Sequence, residues 1–175
     1  MKDKYYIQIV LTNQKTINLC LETKYAPKTV EHFVELVKEN KLDGAIFHRV
    51  IANFMIQTGG YIVEDMTLKE IDNVSTIEGE FASNGHPENT LHHELGVISM
   101  ARTNIKNSAT SQFFICAADC PWLDGEYAAF GKTVDEESNQ VVLEISKMQT
   151  GYLSDAFADF PTELIGIETI KLLDK

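Results

Sequence analysis

A mainly β, antiparallel fold that closes into a barrel, with two helices packed over the open ends, is what this sequence predicts. Segments with two-residue apolar alternation outnumber those with helical periodicity, and the chain both begins and ends on such a segment. Only two stretches read as helices. A sheet built from that many strands has two exposed edges when flat, and curling it into a barrel removes them.

The elements follow in order. "YYIQIVLTNQKTINLCLE" is two alternating strands joined by the turn-forming "TNQK", a hairpin. "APKTVEHFVELVKEN" places Pro27 in its first turn and Val30, Phe33, Val34 and Val37 on one face, so an amphipathic helix is expected over residues 27–39. "IFHRVIANFMIQTGG", 46–60, then reads as extended backbone closed by Gly59-Gly60, with Arg49, Ile51 and Asn53 on one face and Val50 and Ala52 on the other. "YIVEDMTLKEIDNVSTIEGEFASNGHPENT" is polar and rich in Asn, Asp and Gly, hence a long surface excursion with one short strand or helical turn. "GVISMA", "SQFFICA" and "YAAFGKTV" read as strands, "DEESNQVVLEISKMQ" as the second helix and "IGIETIKLL" as the closing strand. No repeat or low-complexity tract interrupts them, and residues 1–175 read as a single domain.

At 175 residues and 19.7 kDa the chain can bury roughly two-thirds of its unfolded surface in one core and needs no disulfides. Cys20, Cys116 and Cys120 are odd in number and set among apolar neighbours, and no charged-then-apolar leader precedes "MKDKYYIQIV"; a reduced, cytoplasmic protein is expected. A net charge of -11 and a pI of 4.8 argue against nucleic acid and anionic membrane as partners, and favour a neutral or basic protein.

Two constellations invite chemistry. "LHHEL" brings together His92, His93 and Glu94, but adjacent side chains diverge in helix or strand and no HExxH spacing occurs, so exposed loop histidines are expected rather than a metal site. Cys116 and Cys120 lack a second pair to complete a zinc site and read as buried thiols. The second constellation is denser: within 49–57 stand an arginine, a phenylalanine, a methionine and a glutamine. Taken alone, Arg49 reads as a surface or ion-pairing residue, Gln57 as a solvated or sheet-capping amide, and Phe54 and Met55 as core.

"FHRVIANFMIQTGG", "GVISMART", "SQFFICA" and "WLDGEYAAFGKTVD" together resemble the signature segments of the cyclophilins, peptidyl-prolyl cis-trans isomerases, and the "IEGEFASNG" excursion is closest to their short bacterial forms. The resemblance implies a closed eight-stranded antiparallel barrel capped by two helices, with a groove on its outer face and no cofactor. It implies Arg49 as the catalytic arginine and Gln57 as the residue orienting it. Phe54, Met55, Phe114 and Leu123 would wall a proline pocket, with Ala101, Gln112 and Trp122 beside them and Tyr127 where the family often has histidine. It further implies proline-containing polypeptides as substrates, a role in protein folding, and binding of a cyclosporin-type cyclic peptide. Two readings compete with the enzyme. A pure proline-docking module has no need for a donor aimed at the prolyl nitrogen, and a holdase would call for a broad apolar surface outside the groove.

Overall fold

In the computed structural model, which describes residues 2–174, the elements run β1 Lys4–Leu11, β2 Thr16–Glu22, α1 Pro27–Lys38, β3 Arg49–Ile51, β4 Met55–Thr58, β5 Tyr61–Glu64, β6 Thr67–Glu70, β7 Val97–Met100, β8 Phe113–Cys116, β9 Ala129–Thr133, α2 Glu136–Ser146, β10 Thr150–Gly151, β11 Phe160–Pro161 and β12 Ile167–Leu173. Short 3-10 turns lie at Ala82–Asn84 and Pro121–Leu123.

Eight strands form one antiparallel sheet in the order β12-β1-β2-β9-β7-β8-β4-β3. The eight strands of this sheet and their antiparallel pairing are those the family resemblance implies, and the two helices are those the apolar spacing predicts. The curl stops short of a closed ladder, however, because β3 spans three residues and does not pair with β12. The segment just before β3 ties the two edges instead: Phe47 N donates to Ile165 O at 2.9 Å, Ile167 N to Ala45 O at 2.7 Å and Gly44 N to Ile167 O at 2.8 Å.

Alternation along β1 and β2 turns Ile7, Ile9, Leu11, Ile17, Leu19 and Leu21 inward, where they are fully buried. The apolar stripe of α1 closes over them, with Phe33 edge-on to Phe113 at 5.2 Å and against Phe130 at 5.3 Å. Val142 and Ile145 of α2 complete the core.

The helices are capped differently. Asp135 caps α2 by accepting from Ser138 N at 2.7 Å. Ala26 cannot do this for α1, and Glu80 supplies the missing acceptor from the excursion, taking Thr29 N at 2.6 Å, Thr29 Oγ1 at 2.7 Å and Lys28 N at 3.3 Å. Glu80 is 3% exposed and Phe81 is buried beside it. The excursion is therefore less superficial than its composition suggests: it begins with the hairpin β5–β6, and its middle is drawn inside by an unmet helix end.

Outside the sheet lies a second, smaller apolar cluster of Met55, Val97, Phe114, Cys116, Cys120, Leu123 and Ala129. Phe113 points into the main core and Phe114 into this outer cluster, as adjacent strand residues must.

Candidate active site

The run 46–60 is a hairpin rather than one strand. It reverses over Ala52–Phe54, where Asn53 takes a φ of 62°, a left-handed conformation that asparagine tolerates. The reversal sets Arg49 directly across from Gln57. Arg49 Nη1 donates to Gln57 Oε1 at 3.2 Å, and Gln57 Nε2 donates to Gln112 Oε1 at 2.9 Å. Gly59 and Gly60 let the chain before β8 come this near: a Cβ at Gly59 would meet Ser111 O at 2.4 Å, and one at Gly60 would meet Gln112 Cδ at 2.6 Å.

Arg49 and Gln57 stand at the edge of a hollow lined also by Phe54, Met55, Ala101, Arg102, Phe114, Leu123 and Tyr127. Its volume of about 120 Å³ is well below the roughly 300–1,000 Å³ of drug-sized ligand sites, a size for one side chain. Trp122 is 61% exposed and stands at the rim, its ring tilted against Phe54 at 5.7 Å. Gln112 lies behind Gln57, in an adjoining groove.

A buried polar network holds the far wall. The His93 ring shares one hydrogen bond with Asp124 Oδ1 at 2.9 Å and another with Ser99 Oγ at 2.9 Å, and stacks on Phe114 at 6.0 Å. Asp124 also accepts from His93 N at 2.6 Å, which fixes the turn carrying Trp122 and Leu123. Burial opposes ionisation of Asp124, but the hydrogen bonds from His93 and His92 outweigh it and hold the carboxyl below its usual range. The expectation of exposed loop histidines holds for His92 and fails for His93, which is buried because Asp124 and Ser99 satisfy both ring nitrogens. Cys116 and Cys120 are buried as expected, and burial pushes both thiols up, away from the reactive thiolate.

The family model for cyclophilin type peptidyl-prolyl cis-trans isomerases matches residues 6–172. The chain belongs to the cyclophilin family. It is 39% identical over 172 residues to peptidyl-prolyl cis-trans isomerase A of Dickeya dadantii, covering 95% of this chain and 84% of that one. It is also 39% identical over 170 residues to peptidyl-prolyl cis-trans isomerase cyp18 of Streptomyces antibioticus, covering 93% and 95%. In fold it is similar to a cyclophilin type peptidyl-prolyl cis-trans isomerase of Cryptosporidium parvum, with a TM-score of 0.76 at 23% identity over 98% of this chain and 99% of that one.

On this cyclophilin fold, eight of the ten residues singled out in the sequence line one hollow, with Trp122 at its rim and Gln112 one hydrogen bond behind it. Arg102 is the lining residue that sequence reasoning passed over. The available signal was scarcity, since the chain has no arginine besides Arg49 and Arg102.

Proposed function

We propose that the chain catalyses cis-trans isomerisation of X-Pro bonds in polypeptides and so assists folding, with Arg49 stabilising the twisted amide. The observation that carries this reading is a guanidinium held by a neutral glutamine at the lip of a hollow of one-side-chain size walled by Phe54, Met55, Phe114 and Leu123. Among the described residues no carboxylate pairs with Arg49, so its charge is free for a ligand.

A peptide bond resists rotation by about 18–20 kcal/mol because the nitrogen lone pair is delocalised into the carbonyl. When the bond twists, the prolyl nitrogen becomes pyramidal and its lone pair can accept a hydrogen bond. A donor placed there stabilises the twisted state over either planar one. Shortening tens of seconds to about a millisecond takes roughly 5.5–7 kcal/mol, and one charged hydrogen bond supplies only about 1.5–3. The remainder falls to Phe54, Met55, Phe114 and Leu123, which grip the ring, confine the motion to one torsion and keep water off the arginine. Gln57 limits where the guanidinium can point. The same groove, with Trp122 at its rim, suits a cyclosporin-type cyclic peptide, and the free thiols of Cys20, Cys116 and Cys120 suit a reduced, cytoplasmic setting.

The test is exchange between cis and trans forms of a short Ala-Pro peptide, measured by NMR alongside its affinity. Arg49→Lys should lose about one to two decades of rate, and Arg49→Ala more, with affinity changed far less, since the bond strengthens only as the amide twists. Near-native rate in Arg49→Ala would remove the arginine from the mechanism. Binding without turnover in the wild type would favour a docking module.

A further inference from the structure

The chain carries 26 acidic residues and only two arginines. Both arginines line the same hollow, and no Asp or Glu lines it with them. Seven of the thirteen lysines behave otherwise: Lys4, Lys15, Lys24, Lys28, Lys38, Lys69 and Lys132 each stand within 4 Å of a glutamate. Among the described residues neither guanidinium is in an ion pair.

Arg102 is held in place by neutral groups alone. Its guanidinium lies 4.6 Å from the Tyr127 ring centroid and 4.9 Å from that of Phe81. Nε and Nη2 donate to Glu126 O at 3.1 and 2.7 Å, and Nη1 donates to Thr103 O at 2.9 Å. Ring faces and carbonyls fix its position without cancelling its charge. Three of five N–H groups are thereby used, which leaves two for a ligand. Arg102 also lines the adjoining groove with Gln57, Thr103 and Ser108, so it stands where the two depressions meet. The groove's single acidic lining residue is Glu70. A half-buried, pre-positioned and uncompensated guanidinium beside a proline-sized hollow is built to receive an anion.

We propose that Arg102 makes the enzyme selective for segments that carry a carboxylate side chain, Asp or Glu, close to the proline. This rests on the reading of the hollow as the site of prolyl isomerisation. It also reverses, at the site, what the net charge of -11 predicts for the whole surface. A purely structural role for Arg102, as a prop for Tyr127, would affect every substrate alike. Selectivity would separate acidic substrates from their neutral isosteres.

The experiment uses the full chain and a set of Ala-rich peptides with one proline, in which Glu or Gln occupies each of the two positions before and after it in turn. At low salt the Glu peptide should exceed its Gln partner in kcat/KM by about threefold to tenfold at one position at least, chiefly through KM. Raising ionic strength from about 0.02 to about 0.3 M should shrink that ratio toward one in the wild type. Arg102→Lys should keep part of the ratio, and Arg102→Gln should bring it to about one, with circular dichroism reporting whether each variant folds. A ratio near one at every position in the wild type, or a ratio unchanged in folded Arg102→Gln, overturns the proposal while leaving the isomerase reading intact. Failure to isomerise any peptide overturns the isomerase reading itself.

Discussion

His48 precedes Arg49 in sequence and faces the other way. It is 4% exposed, edge-on to Tyr61 at 4.9 Å and to Phe157 at 6.1 Å, and its Nδ1 has no hydrogen-bond partner among the described residues. Burial, and after it the charge of Arg49, holds its pKa down to about 4, with the Gln112 side chain pulling weakly the other way. Between about 4 and 6.5 the unfolded chain therefore takes up a proton that the folded chain refuses. Stability should fall as pH drops through that window and be indifferent to His48 above it. The full drop corresponds to about 3 kcal/mol, and buried His93, also held low by burial against the pull of Asp124, adds in the same direction. The urea midpoint measured from about pH 7 to about pH 4.5 should decline, and less steeply in His48→Gln. Turnover should vary less than about threefold from about pH 6 to about pH 9, because the proposed chemistry moves no proton. A steep rate limb in the wild type that vanished in His48→Gln would reveal a charge switch in the mechanism.

At the scale of elements, α1 depends on a residue far from it in sequence. Ala26 offers no side-chain acceptor, so Glu80 both caps the helix and pins the excursion to the barrel. Glu80→Ala would strand the Lys28 and Thr29 amides and the Thr29 hydroxyl, and should cost about 2–3 kcal/mol of unfolding free energy. Glu80→Gln keeps an acceptor and loses the charge at the helix N-terminus, for about 1 kcal/mol. Asp135→Ala at α2 should cost about 1 kcal/mol, as an ordinary local cap does. Urea denaturation of the three variants checks the order, and a Glu80→Ala no worse than Asp135→Ala would mean that the excursion docks independently of the helix. The helix itself was legible over 27–39 from its apolar spacing, whereas the hairpin within 46–60 was not. Alternation continues through a tight reversal, and only the left-handed Asn53 marks the turn.

For the molecule as a whole, the joint between the two sheet edges decides how rigidly β3, and with it Arg49, is held. Gly166 sits at that joint, bridged to Ile46, with its carbonyl accepting from Thr12 N at 2.9 Å. A Cβ there would lie 2.8 Å from Ala45 O and 3.3 Å from Ile46 Cα, so backbone must give way. Gly166→Ala should cost about 1–3 kcal/mol and lower turnover of the Ala-Pro peptide through the displaced segment 45–47. Urea denaturation and exchange NMR on the same sample check both effects, and an unchanged midpoint would show that the edges are joined more loosely than the hydrogen bonds imply.

The sequence by itself determined the mainly β class, both helices, the inward face of β1 and β2, and the grouping of an arginine, a glutamine and apolar walls in one run. Periodicity reports the local backbone state and which side is apolar, and those were enough. Tertiary structure alone decided that the sheet curls without closing, that the excursion sends Glu80 inside, that His93 is buried, and that Arg102 on the chain after β7 joins Arg49 on β3. Each of these depends on which distant segments meet. The free energy that settles such meetings, an unmet helix end, a shared carboxylate or a charge left unpaired, belongs to pairs of segments and is written in neither one alone.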